Sequence, residues 1–89
     1  MKIRVVSCCY NEIVMLPFYL RHYADFADEI IIYDDRSNDG SRDILTAHPK
    51  VQLRDCPFQG LNDYAMMELW YHELAKSAGQ CDWIMFPDI

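Results

Sequence analysis

A three-layer α/β domain with a mostly parallel sheet is the fold class this chain predicts. Short apolar runs alternate with segments whose apolar residues recur every three or four positions. The run from Glu29 to Asp34 is built on three consecutive β-branched residues, Ile30 to Ile32, as in a strand buried on both faces. Polar residues gather just after the apolar runs, where an open parallel sheet holds its ligands. With 89 residues there is room for one small domain, and 52% hydrophobic with 25% charged residues is a globular composition. The expected assignment is a single unit over 1–89.

The first strand is read at Ile3 to Cys9, followed by a polar break at Tyr10-Asn11-Glu12. Ile13, Leu16, Leu20, Tyr23 and Ala27 then mark one face of an amphipathic helix, with Asn11 as its N-cap. Pro17 either occupies the first helical turn or kinks it. Glu29 to Asp34 is the second strand, and Asp35 to Gly40 is turn chemistry throughout. Ser41 to Ala47 makes a short helix stopped by His48-Pro49. Val51 to Asp55 alternates as a third strand, and Cys56 to Gly60 is a loop. Asn62 to Ala78 is a long helix with Met67, Trp70, Leu74 and Ala78 on one stripe, capped by Gly79. Trp83 to Phe86 is the fourth strand, an edge open to self-association or to a partner chain. Right-handed crossovers put these strands in one sheet with helices on both faces.

A net charge of −6 with scattered Arg and Lys argues against nucleic acid as a partner. Cys8, Cys9, Cys56 and Cys81 form no C-x-x-C pair. They are read as reduced, mostly buried thiols of a cytoplasmic protein. No apolar stretch approaches a membrane span, and the N-terminal run is too short for a signal peptide. Methionines and tryptophans at helix or strand spacing are read as core, and His72-Glu73 as solvated helix face.

Three strand ends offer chemistry: Tyr10, Asn11 and Glu12; Asp34 and Asp35; and Asp88. Asp39 and Ser41 are read as organisers of their turn. Adjacent carboxylates at a strand end repel unless something satisfies them, so Asp34 and Asp35 ask for a ligand or for partners. The turn starting at Asp35 resembles a calcium loop, but Thr46 stands where a bidentate Glu is needed. No glycine-rich dinucleotide or phosphate loop follows the first strand.

Taken in order, "VVSCCYNE", "EIIIYDDRSNDGS" and "DWIMFPDI" resemble the family-two glycosyltransferases, as does the helix stretch Asn11-Glu12, Leu16-Pro17, Leu20, His22-Tyr23. The resemblance implies the GT-A fold, a Rossmann-like sheet in the order 3-2-1-4, of which this chain would be the nucleotide-binding half. It implies a nucleotide-diphospho-sugar donor, UDP-linked, held by Cys8, Tyr10, Asn11, Glu12, Asp34 and Asp35. It implies a Mg²⁺ or Mn²⁺ ion bound through Asp88, the first aspartate of a D-x-D motif. Ile89 falls one residue short of the second aspartate, and the catalytic base is expected beyond it, so the 89 residues alone are expected to be inactive. Donor sugar, acceptor and membrane association of a parent enzyme stay open. One rival is a non-catalytic α/β interaction module that pairs through its fourth strand. Another is a nucleotidyltransferase, which would carry a basic glycine-rich loop where "CCYNE" stands.

Overall fold

The computed structural model describes residues 1–60 and 62–89. Elements follow in the order β1 (Ile3–Cys9), α1 (Leu16–Ala24), β2 (Glu29–Asp34), α2 (Ser41–Ala47), β3 (Val51–Asp55), α3 (Asp63–Ser77) and β4 (Trp83–Met85). All strand pairs are parallel, and the sheet order is β3-β2-β1-β4. The predicted α/β class and strand order are therefore those of the molecule.

β1 and β2 lie centrally, which is why their sequences are apolar on both sides. Val5, Cys9, Ile30 and Ile32 face one layer, where they pack with Leu16, Tyr19 and Leu20 of α1 and Leu45 of α2. Val6, Cys8, Ile31 and Tyr33 face the other, with Leu69 of α3 and Cys56. Adjacent Cys8 and Cys9 thus go to opposite faces, as strand geometry demands. All four cysteines are free thiols, and all but Cys81 are buried.

α1 starts later than its periodicity suggested. Pro17 sits in the first turn, where its missing N–H costs nothing. The N-cap is Met15, and the Glu12 carbonyl accepts from the Met15 and Leu16 amides. Asn11 is no cap; its φ of 50° places it in a left-handed turn before the helix.

α3 is the larger correction. Asn62 caps it, its Oδ1 accepting from the Ala65 amide at 2.9 Å. Its buried stripe is Leu69, Glu73 and Ser77, whereas Met67 and Leu74 are exposed. Polar residues of the sheet explain this. Arg4 of β1, itself buried, donates to Ser77 Oγ at 2.7 Å and pairs with Glu29 at 2.6 Å. Arg54 of β3 reaches Glu73 at 2.6 Å, and the Tyr33 hydroxyl also donates to Glu73. Glu73 is therefore 1% exposed instead of solvated, because a buried carboxylate here satisfies a cation and a phenol. Trp83, expected in the core, is 63% exposed on the edge strand. No helix of the described residues is long and apolar enough to cross a membrane.

Candidate functional site

The loops at the carboxyl ends of β1, β2 and β3, with the chain leaving β4, form the site. They are fixed by side chain to backbone bonds between the first loop and the second. Asn11 donates its amide to Ser37 Oγ at 2.8 Å, and its Oδ1 accepts from the Asn38 amide at 2.8 Å. The Glu12 amide donates to Ser41 Oγ at 3.1 Å, and the Ile13 amide to Asp39 Oδ2 at 3.1 Å. Asp39 Oδ1 accepts from both the amide and the hydroxyl of Ser41. These bonds, led by the Ser41 hydroxyl, hold the Asp39 carboxyl below its ordinary range. Ser, Asp and Asn here replace backbone partners that loops lack, which is their usual part in turns.

The two aspartates separate at the end of β2. Asp34 points toward α2. It is 1% exposed, accepts from the Ser37 amide (3.0 Å) and hydroxyl (2.6 Å), and pairs with Arg42 at 2.8 Å. Arg42 also reaches Asp55, so one guanidinium ties β2, α2 and β3 together. The Arg42 pKa is raised first by its hydrogen bond to Asp34 and next by that to Asp55.

Asp35 takes the opposite face. Its amide donates to the Cys9 carbonyl at 2.8 Å, continuing the strand pairing by one residue. Its Oδ2 accepts from the Gly60 amide at 3.0 Å and its Oδ1 from Arg36 at 2.6 Å. A carboxylate has about four lone-pair directions, so two bonds leave it acceptor capacity.

Around Asp35 opens a cleft of about 610 Å³ lined by Tyr10, Glu12, Asp35, Arg36, Gln59 and Gly60. That volume suits a small-molecule ligand. Tyr10 is 52% exposed and presents an aromatic face; the rest of the lining is mainly polar. Cys8 lies buried near it. Burial first, and then the charges of Cys56, Asp35, Cys9 and Asp88, push its thiol up to about 12. Asp88 is exposed, and the chain that carries it is anchored by Ser7 Oγ, which donates to the Pro87 carbonyl at 2.7 Å. Phe86 stacks on Trp70 on the α3 side, while Ile89 packs on the α1/α2 core.

Of the residues singled out by sequence, Tyr10, Glu12 and Asp35 line the cleft together. Cys8 lies buried, Asn11 and Asp34 hold the loops, and Asp88 stands on the neighbouring strand end. Arg36, Gln59 and Gly60 line the cleft but were not anticipated. Arg36 carried a signal, as the only cation in the turn between Asp35 and Gly40.

A parallel α/β sheet with a polar, carboxylate-bearing cleft at its strand ends defines a ligand-binding domain of the doubly wound kind. Residues 4–64 match the family described as glycosyl transferase family 2. The chain belongs to that family. No curated protein and no solved structure matches it.

Proposed function

We propose that the cleft holds the nucleotide of a UDP-linked sugar donor and that the complete enzyme transfers this sugar to an acceptor hydroxyl. These 89 residues supply the donor side; the acceptor surface and the catalytic base come from other residues. The observation that carries the reading is the placing of Tyr10, Glu12 and Asp35 around one cleft at the strand ends of a family-two domain.

Each residue has a task that its position suits. Tyr10 offers a ring on which a base can stack, a contact worth about 1–3 kcal/mol for single-stranded bases. Asp35, held by Gly60 and Arg36, accepts from the N–H of a base or a ribose hydroxyl. Glu12 lies on the same wall and accepts from a second hydroxyl. Asn11 and Asp34 position the loops that carry these groups. Cys8 contributes a neutral thiol below them.

Among the described residues no group of three or more His, Cys, Asp or Glu side chains is arranged as a metal site. Mg²⁺ commonly takes one or two carboxylates and completes its shell with phosphate oxygens and water, so an exposed Asp88 on the chain that leaves β4 fits as a partial ligand set. Bound there, Mg²⁺ or Mn²⁺ would neutralise charge on the diphosphate.

Titration calorimetry of the chain with UDP, with and without Mn²⁺, tests the reading. Binding that strengthens with Mn²⁺ and loses that dependence in Asp88→Asn supports it. Absence of UDP binding in either condition would favour the interaction-module alternative, in which the β4 edge pairs with a protein partner.

A further inference from the structure

Resting on the metal reading of Asp88 above, we propose that Ser7 and Tyr19 are the positioning residues that set this carboxylate at the strand ends. Ser7 lies in β1 and is fully buried, and its side chain falls on the face where Val5 and Cys9 pack against α1. A hydroxyl among apolar neighbours costs free energy unless it is bonded. Ser7 Oγ has two partners, the Tyr19 hydroxyl at 2.5 Å and the Pro87 carbonyl at 2.7 Å. Counting protons gives the direction of both bonds. The Pro87 carbonyl can only accept, so it takes the single Ser7 proton, and the Tyr19 hydroxyl donates to Ser7 Oγ. Burial pushes the Tyr19 phenol above its ordinary range, which keeps that donor protonated.

The backbone explains why side chains take this part. β4 pairs with β1 only as far as Met85, which lies beside Val5. The same register carried two residues further sets Pro87 beside Ser7, and proline has no N–H with which to continue a ladder. Among the described residues no hydrogen bond to 86–89 accompanies the one from Ser7. Phe86 stacks on Trp70 on the α3 side and Ile89 packs on the α1/α2 core, so the chain crosses between the faces at Pro87 and Asp88. The two hydroxyls fix that crossing one peptide before Asp88. Tyr19 is itself 6% exposed, and its ring centroid lies 4.8 Å from that of Tyr23, so the hydroxyl chain starts from a fixed point of α1. Neither Ser7 nor Tyr19 lines the cleft; both act through the backbone that carries Asp88.

Calorimetry of UDP binding by the 89-residue chain and its Ser7→Ala and Tyr19→Phe variants, each with and without Mn²⁺, tests this. The readout is the factor by which Mn²⁺ strengthens UDP binding. In Ser7→Ala that factor should fall ~10-fold, toward that of Asp88→Asn, while UDP affinity without metal stays within ~2-fold. Tyr19→Phe keeps the Ser7 hydroxyl but frees it to rotate, and should lower the factor ~3-fold. A factor unchanged in the variants would overturn the proposal. So would an equal loss of affinity with and without Mn²⁺, the mark of a merely structural role. If Ser7→Ala loses its far-UV signal, Tyr19→Phe decides alone, since it removes a single oxygen and leaves the ring in place. A wild-type chain whose UDP binding ignores Mn²⁺ would overturn the metal reading and this proposal with it, a result seen before any variant is compared.

Discussion

Asp34 and Asp35 are chain neighbours that serve two different regions. On the α1/α2 side Asp34 is sealed in, and its oxygens are taken by Ser37 and Arg42. On the α3 side Asp35 sits at the wall of an open cleft, held at two points and still able to accept. Strand alternation alone sends them apart. The difference teaches that a paired-carboxylate motif need not be one site. One member builds the loop, and the other is what the loop presents.

The largest effect on stability should come from Asp34→Ala. It strands the half-buried Ser37 amide and hydroxyl and loosens Arg42, although Arg42 keeps Asp55 and some solvent. Roughly 2–4 kcal/mol is expected. For a domain of this size that is a large fraction of the whole. Urea unfolding followed by far-UV circular dichroism measures it. A change below about 1 kcal/mol would erase the distinction between the two aspartates.

The buried thiols under the two regions give a smaller and pH-dependent effect. Burial pushes Cys8 up to about 12 and Cys9 to about 11, from an ordinary 9.0. The unfolded chain therefore loses these protons first. The stability they contribute is fully present below about pH 9 and is lost as the pH rises through their folded values. Burial also raises the Tyr19 phenol, which acts in the same direction. Urea midpoints at about pH 8 and about pH 10.5 should fall, and Cys8→Ala with Cys9→Ala should flatten the fall without abolishing it. An unchanged slope in the double variant would contradict the thiol assignment.

Much of the fold could be read from residues that obey one rule at a time. Ile30, Ile31 and Ile32 can only be a strand covered on both faces, and Asp35 to Gly40 can hardly be anything but a turn. The strand-end rule then brought Tyr10, Glu12 and Asp35 to one edge. What stayed hidden depends on partners distant in sequence. The inward stripe of α3 is Leu69, Glu73 and Ser77 because Arg4, Tyr33 and Arg54 of the sheet need polar partners there. A hydrophobic pattern favours Met67, Trp70 and Leu74 and cannot see them. Asn11 reads as a cap until the Ser37 and Asn38 loop arrives to take its amide and its side-chain oxygen. Gly60 joins the cleft only because its amide reaches Asp35 from the far side of β3, whereas Arg36, beside Asp35 in the chain, was open to a reading of the turn's one cation.

A smaller cost in stability than that of Asp34→Ala is expected for Asp35→Ala, about 1–2 kcal/mol: the carboxylate is buried, but its partners, an exposed Arg36 and the Gly60 amide at the open cleft, can turn to water. The same substitution tests the central claim most directly, through the UDP dissociation constant measured beside the wild-type chain. A loss of about tenfold to a hundredfold with the far-UV signal retained is the predicted result. Unchanged UDP affinity, or a variant that no longer folds, would contradict the division of labour between the two carboxylates.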